Sequence, residues 1–158
     1  MNGYTLFVDL DGVLVDFAKG YEELTGLDTR SNFIKGDEMF WAPVDAEGPA
    51  FWATLDWMPD GKTLWSYIKK YKPYILSSPS RSQSSRVGKQ AWVRINLPNS
   101  TNRLLLYPRH EKQLFSAENH ILIDDLEKTI LEWREKGGIG IHHTSALDTI
   151  SQLKKLDL

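Results

Sequence analysis

Short apolar runs alternate with longer segments of helical periodicity along most of the chain. Five apolar runs predict β-strands, at residues 5–9, 74–77, 103–107, 120–124 and 139–142. Segments 63–71, 86–97, 126–136 and 145–156 instead space their apolar residues as helices do. In segment 86–97 the spaced residues are Val87, Ala91, Arg94 and Ile95. Such alternation is typical of a parallel sheet with helices on both faces. The pattern therefore predicts a three-layer α/β/α, Rossmann-like fold.

One segment, residues 15–57, departs from this alternation because it contains no clear strand. It opens with an amphipathic stretch that begins at Phe17, and large aromatic side chains follow. These are Phe33, Phe40, Trp41, Phe51, Trp52 and Trp57. A connection this long inside a small domain is expected to have a structure of its own. We therefore predict an insertion between the first and second strands.

Composition narrows the class of protein. The 158 residues and the hydrophobic fraction of 41% predict one domain with a substantial core. The formal net charge of −2 gives no overall basic field for nucleic acid, and the absence of cysteine excludes disulfides and thiolate metal sites. No apolar run approaches the roughly 18 residues of a membrane span, and the first strand begins too near Met1 for a signal peptide. We expect a soluble cytoplasmic protein, and the sequence leaves its oligomeric state open.

Asp9 and Asp11 stand at the end of the first predicted strand. Two carboxylates one residue apart can approach the same point there, beyond the carboxyl ends of the strands, where open α/β sheets bind ligands. Two acids in that position repel each other unless a cation lies between them, and Mg²⁺ is the usual cation. Taken alone, the segment is equally compatible with an acidic turn.

Four segments, in order, resemble the motifs of the haloacid dehalogenase (HAD) superfamily of phosphohydrolases. They are Asp9-Leu10-Asp11-Gly12-Val13, Tyr74-Ile75-Leu76-Ser77-Ser78, the basic residue Lys112, and Ile121-Leu122-Ile123-Asp124-Asp125. In that family an insertion after the first strand forms a helical cap over the active site. The resemblance therefore implies a phosphohydrolase core of residues 1–16 and 58–158 and a small helical cap of residues 17–57.

The resemblance also implies a role for each acid. Asp9 would be the nucleophile that forms an aspartyl-phosphate, and Asp11 would be the general acid and then the base that activates water. Mg²⁺ would be held by Asp9 and by the backbone carbonyl of Asp11. Asp124 and Asp125 would complete the metal site directly or through waters, and the sequence does not show which of them touches the ion. By themselves these last two acids also suit a helix N-terminus.

For the phosphate group, the resemblance implies further basic and hydroxyl side chains. Ser77 would donate its hydroxyl, with Ser78 beside it, and Lys112 would offset the charges of the nucleophile and the phosphate. Lys89 is the alternative lysine, but it is predicted to lie in the middle of a helix among solvent-type neighbours. Arg109 follows the third strand and its guanidinium suits phosphate oxygens, although an ordinary surface arginine has the same signature.

The histidines indicate no site. His142 and His143 are adjacent, so in a strand they face opposite sides and are not expected to share a metal. His110 and His120 have no obvious partners and are predicted to be surface residues.

A narrower resemblance is to the 5′(3′)-deoxyribonucleotidases. It rests on the first acidic segment up to Phe17, on Phe51-Trp52, on Trp57-Met58-Pro59-Asp60-Gly61 and on Ser77-Ser78-Pro79. Arg109 and Lys112 are similar to the Arg-x-Lys of that family, but with one extra residue between them, and the cap is shorter. The resemblance implies a Mg²⁺-dependent phosphomonoesterase that acts on (deoxy)nucleoside monophosphates.

In that family, aromatic side chains of the cap hold the base. This places Phe17, Phe40, Trp41, Phe51 and Trp52 in the expected substrate pocket, because flat rings stack on bases. The same rings are also suited to forming the small core of the cap, which needs large side chains to be stable.

Other functions stay open from the sequence. A 3′-phosphatase of nucleic acid ends would need a basic track, for which Arg81, Arg86, Lys89 and Arg94 are the candidates, although such residues usually form a solvated face. A phosphatase of another small metabolite would keep the same chemistry. A catalytically inactive HAD-fold binding protein would be expected to have lost some of the acids, and this chain keeps them all.

Overall fold

A parallel β-sheet forms the centre of the protein. The computed structural model of the chain describes residues 3–30 and 36–158. The strands are β1 (Thr5–Val8), β2 (Tyr74–Ser77), β3 (Leu104–Leu106), β4 (His120–Asp124) and β5 (Ile139–His142). They form one five-stranded sheet in the order β3-β2-β1-β4-β5, and all neighbouring strands are parallel. The predicted strands are thus confirmed, with the first and third slightly shorter than expected.

Both faces of the sheet are covered. Leu6 and Val8 of β1 belong to one buried apolar cluster, while Phe7 belongs to another that includes Trp133. Because successive residues of a strand point to opposite faces, these clusters lie on the two sides of the sheet. The predicted three-layer α/β/α arrangement is therefore confirmed.

Seven α-helices and three short 3₁₀ helices surround the sheet in the described segments. The α-helices are α1 (Phe17–Thr25), α2 (Asp37–Glu47), α3 (Pro49–Ala53), α4 (Gly61–Ile68), α5 (Gln83–Asn96), α6 (Glu127–Glu135) and α7 (Ala146–Lys154). The 3₁₀ helices are Lys69–Tyr71, Pro98–Arg103 and Arg109–Phe115. The four predicted helices are confirmed as α4 to α7, with small shifts at their ends. None of the helices in the described segments combines the length and apolar character needed to cross a membrane.

The register of the central strands brings three chain segments to one edge of the sheet. Val8 of β1 is paired with Ile75 of β2 and with Ile123 of β4. Asp9 therefore lies beside Asp124, since each follows one of these paired residues. The N–H of Asp9 donates to the carbonyl oxygen of Ile123 at 3.0 Å, which fixes this alignment. The polar residues that end β1, β2 and β4 consequently meet at the carboxyl edge of the sheet.

The buried face of α5 differs from the prediction. Val87 and Ile95 are 44% and 66% exposed. The buried residues follow a different helical stripe, which consists of Ser85, Gly88, Lys89, Trp92 and Val93. The helix also begins earlier than expected, because the hydroxyl of Ser82 accepts a hydrogen bond from the N–H of Ser84 at 3.1 Å and caps it. This stripe points Lys89 into the protein.

The segment between β1 and α4 contains the helices α1, α2 and α3 where it is described, and α3 packs directly on α5. A Cβ atom at Gly88 of α5 would lie 2.5 Å from the carbonyl oxygen of Pro49, so only glycine allows this approach. Phe40 and Trp52 of this segment share a buried cluster with residues of β1. Because this shared cluster joins the segment to the sheet, the division into core and cap stays a prediction. Phe33, one of the predicted cap aromatics, lies outside the described residues.

Candidate active site

Lys112 joins the acids at the ends of two neighbouring strands. Its Nζ lies 3.1 Å from Oδ1 of Asp9 and 2.8 Å from Oδ2 of Asp124. All three residues are buried, Lys112 to 3% exposure. Burial alone would lower the pKa of the Lys112 ammonium, but the charges of Asp9 and Asp124 raise it above its ordinary value. Lys112 therefore stays positively charged and holds both carboxylates.

Carboxylates outnumber ammonium groups in this cluster. Burial, and next the charge of Asp124, raise the pKa of Asp9 well above its ordinary value. The same two causes, in the same order, raise the pKa of Asp125 to about 6. Carboxyl oxygens of Asp9, Asp124 and Asp125 all lie within 4.8 Å of one another. Since Lys112 supplies a single positive charge, the cluster lacks the positive charge that would let all three acids ionise.

This set of donors fits Mg²⁺. The ion prefers oxygen ligands and keeps several waters, so a few carboxylates on one side are sufficient. Asp9 and Asp124 are buried whereas Asp125 is exposed, so the cluster opens to water on the Asp125 side. The residues present therefore match the expected cofactor in chemistry and in arrangement.

Gly12 makes room for the third carboxylate of the cluster. Its φ angle is +82°, in the left-handed region that side chains disfavour, and a Cβ atom there would collide with the carboxyl group of Asp125. Two features therefore require glycine at this position: the turn after Asp11 and the close approach of Asp125.

Asp11 and Lys89 form a second ion pair beside the first. The Nζ of Lys89 lies 2.6 Å from Oδ2 of Asp11 and 3.0 Å from Oγ of Ser77. It also lies 4.9 Å from the centre of the Trp52 ring, which is a cation–π geometry. Lys89 is only 2% exposed, so the prediction of solvent-type neighbours is wrong. The physical reason is that α3, which carries Trp52, covers this face of α5.

The two serines after β2 have different surroundings. Ser77 is fully buried, and its Oγ accepts a hydrogen bond from Lys89. Ser78 borders the cavity that contains Asp9 and Asp11, and its buried Oγ has no hydrogen-bond partner among the described residues. A buried hydroxyl without a partner is unfavourable unless water or a ligand satisfies it. Ser78 is therefore the serine whose free hydroxyl lies at the cavity.

Arg109 borders the same cavity, but its charge is already balanced. Its guanidinium nitrogens lie 2.9 and 3.3 Å from the two carboxyl oxygens of Glu132. The hydrogen bond from Arg109 is the main reason that the pKa of Glu132 is lowered. Sequence reasoning missed Glu132, which lies 23 residues further along the chain and carries no local signal. Arg109 therefore faces the cavity as one half of an ion pair.

Two contiguous cavities occupy this edge of the sheet. The first, of about 330 Å³, is bordered by the four acids, Lys112 and Arg109. The second, of about 230 Å³, is bordered by the rings of Phe17, Trp41 and Trp52. Asp11 and Ser78 border both cavities, so the acidic cavity adjoins the aromatic one.

The aromatic residues expected in the pocket divide into two groups. Phe17, Trp41 and Trp52 border the second cavity. Phe40 is 4% exposed and stacks on Tyr21 with ring centres 4.4 Å apart. Phe51 is 8% exposed and packs edge-on against Phe17. Phe40 and Phe51 are thus core residues that support the rings at the cavity.

His120 is not the surface residue that the sequence predicts. Its Nδ1 lies 2.6 Å from the carbonyl oxygen of Phe115, and its ring centre lies 5.3 Å from that of Phe7. Its ring therefore packs on the face of the sheet that carries Phe7, at the start of β4. His110 is exposed, as predicted.

The fold has counterparts among solved structures, although no protein-family model matches the sequence and no curated protein matches it significantly. A haloacid dehalogenase-like hydrolase from Streptococcus pneumoniae has a TM-score of 0.57 at 14% identity, over 96% of this chain and 91% of that chain. A predicted phosphatase from Clostridium acetobutylicum has a TM-score of 0.56 at 14% identity, over 98% and 99% of the two chains. The fold is that of HAD-superfamily hydrolases.

A third structure with the HAD fold contains ligands. It is a HAD family enzyme from Bacteroides thetaiotaomicron in complex with magnesium and inorganic phosphate, with a TM-score of 0.52 at 17% identity over 90% of this chain and 94% of that chain. Identities this low establish a shared fold, and the chemistry of this chain must be argued from its own residues. The HAD fold agrees with the sequence motifs, whereas the narrower deoxyribonucleotidase resemblance stays a prediction.

Proposed function

We propose that this protein is a Mg²⁺-dependent phosphomonoesterase that acts through an aspartyl-phosphate on Asp9. The observation that carries the proposal is the meeting of Asp9, Asp11 and Lys112 with two further acids at one cavity. The HAD-fold enzyme that holds magnesium and inorganic phosphate supports the same chemistry.

Asp9 is suited to act as the nucleophile. Lys112 holds its carboxylate, and the N–H of Leu10 donates to its Oδ1 at 2.9 Å. In the proposed first step, an oxygen of Asp9 forms a bond to phosphorus while the bond from phosphorus to the ester oxygen breaks. The charge of Lys112 stabilises the negative charge that is spread over the phosphoryl oxygens.

Asp11 is suited to move the proton. Lys89 fixes Oδ2 of Asp11, which leaves Oδ1 to carry the proton that passes to the departing alcohol. In the second step the same carboxylate takes a proton from water, whose oxygen attacks the phosphorus. Inorganic phosphate leaves, and the free carboxylate of Asp9 is restored.

The remaining residues of the cavity bind the metal and the phosphate. Asp9, Asp124 and Asp125, together with the backbone carbonyl of Asp11, would hold Mg²⁺, whose charge reduces the repulsion between the acids and an anionic substrate. Ser78 would donate its free hydroxyl to a phosphate oxygen. Arg109 lies beside them and, through its pair with Glu132, shapes the wall of the cavity.

The proposed substrate is a (deoxy)nucleoside monophosphate. The support for it is the aromatic cavity, which begins at Asp11 and Ser78 and is walled by Phe17, Trp41 and Trp52. A phosphate bound at the acids would place the rest of the molecule against these rings, and a base stacked on an aromatic ring gains about 1–3 kcal/mol.

A nucleic acid substrate is less well supported. The basic track that it would need includes Lys89, which is buried and paired with Asp11. Another member, Arg81, lies 3.4 Å from the carboxylate of Asp37. Lys89 therefore does not add to an open cationic surface, and the charge of exposed Arg81 is partly offset by Asp37, so a small substrate fits the site better.

Phosphate release tests the proposal. The substrates are nucleoside 5′- and 3′-monophosphates, a generic aryl phosphate and a 3′-phosphorylated oligonucleotide, each with Mg²⁺ and with a chelator. We expect Mg²⁺-dependent turnover of the nucleoside monophosphates that Asp9→Asn abolishes while the variant keeps its fold. Turnover of the aryl phosphate alone would support the phosphatase activity but reject a nucleotide as the substrate. A lack of turnover across the whole panel would reject the phosphatase activity and favour a catalytically inactive binding protein.

A further inference from the structure

A separate cavity lies at the opposite edge of the sheet. It has a volume of about 540 Å³, and the residues that border it precede β2 and β3 along the chain. The candidate active site is bordered by residues that follow β1, β2 and β4. Because the strands are parallel, the two cavities lie at opposite ends of the strands, and a ligand in one would not overlap the other.

The lining of this cavity is cationic and rich in amides. The basic residues are Lys69, Lys72 and Arg103, and the amides are Asn96, Asn99 and Asn102. None of the described residues that border it is an aspartate or a glutamate. Within residues 3–30 and 36–158, none of the three cations forms an ion pair with a carboxylate. The cavity therefore collects positive charge that the chain itself leaves uncompensated.

Arg103 is held in place before any ligand arrives. One of its guanidinium nitrogens donates to the carbonyl oxygen of Lys72 at 2.7 Å, and its guanidinium carbon lies 5.2 Å from the ring centre of Tyr74. Lys72 has a φ angle of 50°, an uncommon left-handed conformation for a lysine. This turn orients the carbonyl that fixes Arg103. A guanidinium held on one side keeps its other donors free for planar oxygen groups.

An apolar wall adjoins the cations. Trp65 of α4, which is partly buried, and Leu97, which is 1% exposed, border the same cavity. Basic side chains beside an indole ring and several amides suit a molecule with a phosphate chain at one end and a flat polar group at the other.

We propose that this cavity is a second ligand site, which binds a small organic polyphosphate such as a nucleoside di- or triphosphate. The phosphates contact Lys69, Lys72 and Arg103, and the organic part lies against Trp65. Three cations match the charge of two or three phosphate groups better than that of a single one. The proposal does not depend on the phosphatase activity, because it uses none of the active-site residues.

Isothermal titration calorimetry of the full chain, with a chelator in place of Mg²⁺, tests this site. The probes are inorganic phosphate, inorganic tripolyphosphate and a nucleoside triphosphate with a methylene bridge that resists hydrolysis. The double variant Lys69→Gln/Lys72→Asn removes two cations, and asparagine accepts the left-handed conformation at position 72. The double variant Lys154→Gln/Lys155→Gln removes two exposed lysines of α7 and its end, and is the matched control.

We expect saturable binding of the nucleoside triphosphate, weaker binding of tripolyphosphate and weaker binding still of phosphate. Lys69→Gln/Lys72→Asn should reduce the affinity for the triphosphate by about tenfold or more, because it removes two charge-assisted contacts. The control variant and Asp9→Asn should retain wild-type affinity. No saturable binding by the wild-type protein would overturn the proposal, as would an equal loss in both double variants. Equal affinity for tripolyphosphate and the nucleoside triphosphate would refute a contact with the organic part.

Discussion

The buried ammonium of Lys89 lies 2.6 Å from the carboxylate of Asp11, although 78 residues separate them along the chain. The pair is a tertiary contact, because Asp11 follows β1 and Lys89 lies on the inner face of α5. The Lys89 ammonium nitrogen also lies 4.9 Å from the centre of the Trp52 ring, which packs over it. An ion pair held this tightly fixes the orientation of the carboxyl group that we propose moves the proton.

Lys89→Met should therefore reduce kcat more than it raises KM. The variant keeps the length of the side chain but removes the charge, so Asp11 loses the partner that orients it and the cavity loses a positive charge. We expect kcat for the preferred monophosphate to fall by about a hundredfold, as for the loss of a single well-placed donor in an active site. Steady-state kinetics of phosphate release measures both constants.

Lys19→Met is the matched control for this change. Lys19 forms an ion pair of similar length with Asp56, 2.7 Å, but both side chains are more than half exposed. Exposed pairs contribute little to stability, so this variant should keep the wild-type kcat. Equal kcat values for wild type and a folded Lys89→Met variant would show that the pair with Asp11 is structural.

Asp125→Asn should stabilise the protein when Mg²⁺ is absent. Asp9, Asp124 and Asp125 bring their oxygens within 4.8 Å of one another around one lysine, and neutralising the exposed member relieves their repulsion. We expect a higher Tm than wild type in the presence of a chelator, with each kcal/mol of relief raising Tm by about 2–4 °C. Mg²⁺ should raise the Tm of wild type more than that of the variant, since binding to the folded state stabilises it.

Differential scanning fluorimetry with and without Mg²⁺ gives these four values. Glu118→Gln is the control, because it removes an exposed acid outside the cluster. A lower Tm for Asp125→Asn than for wild type in chelator would contradict the repulsion on which this prediction rests.

Trp41→Ala and Phe40→Ala should have different effects, because Trp41 lies at the substrate pocket and Phe40 in the core that supports it. Trp41 borders the aromatic cavity, whereas Phe40 is 4% exposed and stacks on Tyr21. Trp41→Ala should raise KM for a nucleoside monophosphate by about tenfold, the effect of losing one stacked ring. It should leave KM for a ring-free phosphate monoester unchanged. Phe40→Ala should instead lower the free energy of unfolding by about 3 kcal/mol or more.

Substrate kinetics and urea unfolding of the two variants distinguish these outcomes. If Trp41→Ala altered stability but changed neither KM, the ring would be part of the core, and the base would have to be held elsewhere.

The ends of the strands are the part of the site that the sequence predicts well. Asp9, Ser77 and Asp124 each follow a short apolar run, and parallel pairing alone brings the ends of such runs together. Lys112 is expected from the HAD resemblance, and the structure places its ammonium between Asp9 and Asp124. These residues are positioned by short-range patterns that a sequence displays directly.

The face of α5 is the part that the sequence predicts poorly. Its apolar residues Val87 and Ile95 are exposed, while Lys89 is buried, because α3 packs against Gly88 and Trp52 closes over the lysine. A buried lysine is stable only with a partner, and that partner is an acid near the start of the chain. The stripe of Ser85, Lys89 and Trp92 at helical spacing was the available signal. This stripe is less apolar than the stripe that faces solvent, so hydrophobicity alone predicts the wrong buried face.

His143 should make the stability of the protein depend on pH. It is 5% exposed, and its Nδ1 lies 2.7 Å from the hydroxyl of Thr149. Burial lowers the pKa of His143 below its ordinary value of about 6.5, and the electrostatic effect of the neighbouring His142 acts in the same direction. The nearby carboxylates of Asp60, Asp148 and Asp124 act in the opposite direction but do not reverse the shift.

A lowered pKa means that the unfolded chain binds a proton more readily than the folded protein does. Stability from neutral His143 is therefore fully present above the unfolded pKa, about 6.5, and is lost as the pH falls through that value toward the lower folded pKa. Urea unfolding of wild type and His143→Gln at pH 7.5 and pH 5 tests this. The free energy of unfolding should fall more steeply with acid in wild type than in the variant. His110→Gln, which replaces an exposed histidine, should retain the wild-type slope. Parallel slopes for wild type and His143→Gln would assign the acid sensitivity to other groups.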